Sequence, residues 1–239
     1  MLIRCVDFET TGAPTKMEKH AVCEVGWCDV VGDEDDDLPW GHGMPRAMLV
    51  DPCRPMPPEA AAVHGIIDAD LVGAPQMVTG FMELMKGPPS MFCAFNADFE
   101  QAFFQGGDLP WVDPYKVAVR LWPDAPNHKQ GTLRYLLGIP LDRAAAFPPH
   151  RAGPDAYVLA GILAHILNEG LCSLDTMVRW SKGPALLPKC PISDEHRGKP
   201  FNDVPSSFLK WILDPNKTFS RDLKATAKYH LKLRDELIT

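Results

Sequence analysis

No stretch of this chain approaches the ~20 consecutive apolar residues of a membrane span, which leaves an α-helical membrane protein out of consideration. No C-x-x-C pair occurs among the seven cysteines Cys5, Cys23, Cys28, Cys53, Cys93, Cys172 and Cys190. Their number is odd and their spacing scattered, so neither a zinc site nor a disulfide framework is expected, and free thiols acting as small hydrophobes are. The first residues, Met1-Leu2-Ile3-Arg4-Cys5-Val6-Asp7, reach an acid without a signal-peptide layout, and a cytoplasmic location with no membrane partner is expected. No internal repeat is found. An excess of positive charge is also missing, since the net charge is −7.

That charge is unevenly spread. Residues 1–180 hold 13 Lys and Arg against 24 Asp and Glu, a balance of −11, whereas residues 181–239 hold 11 against 7, a balance of +4. An acidic body with a basic tail points to a metal-binding core and a phosphate-binding appendage. With 46% hydrophobic and 23% charged residues, the chain suits one α/β domain and a small addition.

Leu2–Val6 reads as a strand ending at Asp7, followed by a β-rich run over Ala21–Val31 and a strand at Ala47–Val50. The acidic run Asp33-Glu34-Asp35-Asp36-Asp37 between them predicts a solvated turn, because consecutive carboxylates cannot all face one ion. Pro57 and Pro58 open a short helix reaching His64, and Val78–Lys86 is amphipathic. Ser90–Phe95 fits a buried central strand. Leu133–Gly138 is a short helix with a glycine stop, and Asp155–Asn168 has apolar residues at helical spacing. The pattern predicts a mixed sheet with helices on its faces. Residues 181–193 carry three prolines and read as a linker. A small module follows at 194–239, ending in a basic helix from Arg221 to Ile238.

Three clusters could carry chemistry. In Asp7-Phe8-Glu9-Thr10-Thr11-Gly12, alternation along a strand turns Asp7 and Glu9 to one face and Phe8 to the other. Two carboxylates so placed repel one another unless a cation lies between them, and oxygen ligands favour Mg²⁺ or Mn²⁺. In His150-Arg151-Ala152-Gly153-Pro154-Asp155 the acid opens the periodic helix, where it could serve as a cap. In Asn96-Ala97-Asp98-Phe99-Glu100 the glutamate follows the buried strand, where it could simply favour the helix dipole.

Their order resembles the DEDDh, or DnaQ-like, exonucleases of the RNase H-like fold. D-F-E-T-T-G stands unchanged at 7–12, Phe95-Asn96-Ala97-Asp98-Phe99-Glu100 is similar to H-N-x-x-F-D, and His150 and Asp155 match H-x-x-x-x-D. Glu24-Val25-Gly26 follows the pattern E-[IV]-G, and Val63-His64-Gly65-Ile66 resembles the H-G-I turn. Residues 113–139 are similar to the segment between the second and third motifs. The tail, with Gly198-Lys199 and Val204-Pro205-Ser206-Ser207-Phe208-Leu209-Lys210-Trp211, resembles the small C-terminal module of exodeoxyribonuclease X-type proteins.

The resemblance implies an α/β, RNase H-like mixed sheet of five strands flanked by helices, forming an exonuclease domain over 1–180. A linker over 181–193 and a small α-rich module over 194–239 complete the chain. It implies a two-metal-ion 3′→5′ exonuclease releasing nucleoside 5′-monophosphates from DNA, single-stranded for preference. Two Mg²⁺ ions, or Mn²⁺ in their place, would be held by Asp7, Glu9, Glu100 and Asp155, with His150 as the general base. Thr10, Thr11, His64 and Asn96 would contact the substrate. Glu100 departs from the family's aspartate by one methylene, a reach of ~1.5 Å; Asp98 is the alternative, but residues i and i+2 of a helix do not share a face. RNA remains open as substrate, as does a binding or polymerase-accessory module of little or no activity. Lys210, Arg221, Lys224, Lys228 and Lys232 could form a phosphate track or a solvated face, and Phe208 and Trp211 are expected in a local core.

Overall fold

The first strand, β1 (Leu2–Thr10), is longer than its apolar run and continues through the acidic motif. In the computed structural model, which describes residues 1–13 and 20–236, this strand organises the sheet. Ile3 and Cys5 face one core, whereas Val6 and Phe8 face another, as the two-residue period requires. Asp7 and Glu9 therefore continue the Ile3 face, at the strand end where apolar cover gives out.

Strand β2 (Val22–Val31) pairs antiparallel with β1 in a register that sets Asp7 opposite Gly26 and Glu9 opposite Glu24. Two short strands, β3 (Gly41–His42) and β4 (Arg46–Leu49), both pair with β2. Strand β5 (Met91–Cys93) runs parallel to β1 and to β6 (Trp111–Val112). The order is β3-β2-β1-β5-β6 with β4 beside β2, so the sheet has six strands where five were expected. The difference lies in two-residue strands, too short to leave an alternating pattern in the sequence.

The helices are α1 (Pro58–His64), α2 (Met77–Leu84), α3 (Asp98–Gln101), α4 (Pro114–Leu121), α5 (Gln130–Leu136), α6 (Ala152–Asn168), α7 (Leu174–Ser181), α8 (Ser206–Ile212) and α9 (Arg221–Glu236). The last two residues of the expected terminal helix, 237 and 238, lie outside the described residues. Helix α6 supplies the largest share of the core on the Ile3 face, with α4, α5 and α7 packed around it. Phe81 of α2 and Phe104 close over Phe8 on the other face. The acidic turn at 33–37 is exposed as expected, but Glu34 also accepts the Leu174 N–H at 2.9 Å and so caps α7. Among the described residues no helix is long and apolar enough to cross a membrane.

Cys190, Phe201, Val204, Leu209, Ile212, Leu223 and Ala227 form a separate small core near the C-terminus. The proline-rich segment is tied into it. The Ala185 N–H donates to Asp222 and the Leu187 N–H to Thr226, each at 2.9 Å, and Cys190 is buried. Arg221 at the start of α9 reaches Asp98, and Lys189 reaches Asp124.

Candidate active site

Asp7 and Glu9 stand at the end of β1, and Asp155 faces them from the first turn of α6. One carboxylate oxygen from each lies within 4.8 Å of those of the other two. The Phe8 side chain between the two acids is buried in the opposite core, which holds the strand in this register. Glu100 projects from α3, just past β5. It is buried, and its Oε2 has no hydrogen-bond partner.

Burial and mutual repulsion shape the titration of these groups. Burial, with the charges of Asp155, Glu100, Glu9 and Glu24, pushes the Asp7 carboxyl well above the usual carboxylate range. Burial, then Asp155 and Glu24, push Glu9 up to about 8, while Arg151 opposes them. Glu100 is raised by burial first and by Asp113 and Glu9 second. Asp155 is raised by burial, partly offset by the His150 N–H it accepts and by the His150 ring nearby. Crowded acids of this kind are relieved by a cation. The donors are all oxygen, and one buried oxygen is otherwise unpartnered, so the residues present fit hard divalent cations.

His150 is exposed at the rim, with a φ of 59°. Its N–H donates to Asp155 Oδ2 at 2.8 Å, so base candidate and acid share one turn. Gln130 of α5 donates to the Asp155 carbonyl at 2.6 Å and braces the same turn.

The other expected site residues are placed as follows. Thr10 is buried, its hydroxyl bonded to the Gly12 carbonyl at 3.0 Å. Thr11 is buried as well; its N–H donates to Ala21 and its hydroxyl accepts from the Ala21 N–H. The Thr11 N–H is thus engaged within the protein. His64 is buried, its Nδ1 accepting from Ile66 and its Nε2 lying 3.3 Å from the Thr10 carbonyl, where it supports the strand end from below. Burial lowers its pKa. Asn96 is exposed with a φ of 68°, at the turn leading into α3. Asp98 turns away from the acids and pairs with Lys116 at 3.0 Å and with Arg221.

Four residues beside the site were given no role from sequence. Asp113 is fully buried and accepts the N–H groups of Asn96, Ala97 and Tyr115, with Lys116 beside it. Its signal was legible: an Asp followed by Pro114 at the first helical position marks a helix start. Glu24 and Arg151 form an ion pair across 127 residues, a separation over which no local pattern speaks.

Residues 5–163 match the family model described as Exonuclease. Exodeoxyribonuclease 10 of Escherichia coli strain K12 is 25% identical over 234 residues, covering 97% of this chain and 99% of that protein. Among solved structures, Exonuclease X in complex with 5′ overhanging duplex DNA aligns with a TM-score of 0.63 and 24% identity, over 75% of this chain and 99% of that one. The nuclease domain of 3′hExo, a DEDDh family member bound to rAMP, aligns with a TM-score of 0.50 and 15% identity, over 71% and 92% respectively. The chain shares the fold of these structures.

Proposed function

The chain belongs to the exonuclease family in its DEDDh form and is a 3′→5′ exonuclease of nucleic acid that needs divalent metal ions; from that premise we propose that it trims DNA and works with two Mg²⁺ ions. The observation that carries the two-ion reading is the convergence of Asp7, Glu9 and Asp155 within 4.8 Å, with the unpartnered buried oxygen of Glu100 adding a fourth acid.

Asp7 and Glu9 with Asp155 would hold one ion, and Asp7 with Glu100 the other. When bound, such a pair supplies Lewis acidity at the scissile phosphate and countercharge for the departing 3′-oxygen. The residues of the chain do the rest. The imidazole of His150, at the open rim, takes the proton of the attacking water. Its backbone N–H keeps Asp155 oriented, so ligand and base move as a unit. The extra reach of Glu100 over an aspartate suits a start from the short helix α3. Cleavage on the 5′ side of the terminal residue's phosphate leaves nucleoside 5′-monophosphates.

The choice of DNA follows the relative covered over nearly its whole length, an exodeoxyribonuclease. Residues 1–180 would form the hydrolytic domain and 194–239 a module that helps hold the strand, with 181–193 joining them. The test is incubation of 5′-labelled single-stranded DNA and the matching RNA with Mg²⁺, then Mn²⁺. Stepwise shortening of DNA with release of 5′-mononucleotides, abolished by Asp7→Asn, is the expected result. Faster loss of RNA would overturn the DNA assignment, and full activity in Asp7→Asn would overturn the site.

A further inference from the structure

Glu24 and Gly26 take no part in the chemistry above, yet both touch the start of α6. In the β1–β2 register Gly26 lies opposite Asp7 and Glu24 opposite Glu9, and directly opposed residues share a face. Glu24 and Gly26 therefore lie on the same side of the sheet as the acids. Gly26 makes room there: a Cβ on it would fall 2.1 Å from the Ala152 carbonyl carbon and 2.5 Å from the Gly153 nitrogen. The first turn of α6 rests directly on this glycine.

Glu24 fastens what Gly26 admits. Its buried carboxylate accepts Arg151 Nε at 2.9 Å and the Ala152 N–H at 2.9 Å, and its other oxygen accepts Arg151 Nη2. Arg151 follows His150 directly, and the next helical turn carries Asp155. A carboxylate gripping both the side chain of 151 and the backbone of 152 leaves little freedom to 150 or 155. The guanidinium also neutralises Glu24, which would otherwise stand as a further anion beside Glu9.

We infer that Glu24 and Arg151 are a positioning pair that docks the start of α6 and thereby sets His150 and Asp155 over Asp7 and Glu9. The inference rests on the proposed assignment of those four residues as the active site. Neither member of the pair touches substrate. The competing role for Arg151, whose side chain is 37% exposed, is a direct phosphate contact. The two roles differ in what they move: a phosphate contact sets KM and salt dependence, whereas a positioning pair sets kcat and metal affinity.

The test uses the full chain and the variants Glu24→Gln, Arg151→Met, Arg151→Lys and the double Glu24→Gln/Arg151→Met. Two quantities are read: kcat and KM on a labelled single strand, and the Mn²⁺ affinity of the metal-free proteins from the shift of their melting midpoint on titration. Each single variant should lose about tenfold or more in kcat with little change in KM, and bind Mn²⁺ several-fold more weakly. The double variant should be no worse than the poorer single, because one docking contact is lost in all three. Arg151→Lys, which keeps the charge without the two-point grip, should fall between. If Arg151→Met fails to fold, the neutral double variant and Arg151→Lys carry the same comparison. A raised KM at unchanged kcat for the Arg151 variants, multiplying losses in the double, or wild-type Mn²⁺ affinity throughout would each overturn the pair. A wild-type protein that binds Mn²⁺ at the acids yet digests neither DNA nor RNA would instead overturn the active-site reading.

Discussion

Glu100 shows how a single side chain can cost the fold something and, in the proposed reading, serve the reaction. It is buried with one carboxylate oxygen unpartnered, and burial raises its pKa. A carboxylic acid whose folded pKa lies above its unfolded value is a burden once the pH exceeds the unfolded value, and none when both states are protonated. Glu100→Gln should therefore raise the melting midpoint of the metal-free protein near pH 8 and change it little near pH 4, while exonuclease activity falls about a hundredfold or more. Calorimetry at the two pH values, beside a digestion assay, checks both halves; a midpoint lowered at the higher pH would contradict the burden. Glu9 extends the reasoning to the whole acid cluster. Its carboxyl, ordinarily near 4.5, is pushed up to about 8 in the folded protein, so the metal-free fold should lose stability as pH climbs between those limits. A divalent cation removes the repulsion, so added Mg²⁺ should raise the midpoint far more at about pH 8 than at about pH 5. An equal shift at both pH values would mean that the cation binds elsewhere.

Two element contacts deliver the site, and both are made by residues that do no chemistry. Helix α6 docks on β2 at Gly26, where an alanine methyl would collide with the Ala152 backbone. Backbone cannot swing aside as a side chain can. Gly26→Ala should cost about 1–3 kcal/mol in urea denaturation and sharply reduce activity, because α6 must shift to admit the methyl. On the other side, Asp113 caps α4 and ties down the Asn96–Ala97 turn ahead of α3. Asp113→Ala would leave the N–H groups of Asn96, Ala97 and Tyr115 without their acceptor and Lys116 without its buried acid partner. A loss of about 3 kcal/mol is expected by the same measurement. These contacts also explain what could be seen in advance. The Asp7, Glu9 and Phe8 alternation is local, and a period of two reveals it. The α6 pattern is local too, with an apolar stripe long enough to declare a helix. The pairing of Glu24 with Arg151 joins residues far apart in the chain, and nothing near either residue announces it. The apolar run of β1 ends before Asp7, yet the strand runs on to Thr10: acids depress strand propensity, and here pairing with β2 overrides it. Strands β3 and β6, two residues each, are held by their neighbours rather than by their own composition. His64 and Thr11 carry polar groups that suggest contact with a ligand; within the protein they bond to Thr10 and Ala21 and shape the strand end.

Over the whole molecule, the acidic body carries the candidate site, and a basic tail that held a strand would offset the body's repulsion of it. The tail's charge is less free than its sequence suggests. Arg221 pairs with Asp98, Lys224 caps the Lys217 carbonyl, Lys232 pairs with Glu236, and Arg234 donates to Phe201, Asn202 and Val204. Trp211, expected in the local core, is instead 41% exposed, stacked on Phe208 with Lys217 over its ring. Among the described residues no ion pair engages Lys210 or Lys228, and both are exposed. If the module holds the strand by its phosphates, these two helical lysines, with the exposed Arg197 and Lys199, are the cations placed to carry that contact. Each phosphate contact removed from a single strand lowers the dependence of binding on salt by about 0.7 of a unit of the log–log slope. Lys210→Gln/Lys228→Gln should therefore flatten the dependence of log KM on log salt for a long single strand by about 1.4 units, and leave kcat unchanged. A dinucleotide, which offers too few phosphates to engage both the acids and these lysines, should show wild-type kinetics with the same variant. Equal weakening on both substrates would mean that the lysines act through the fold, and an unchanged slope on the long strand would make the basic tail a solvated face.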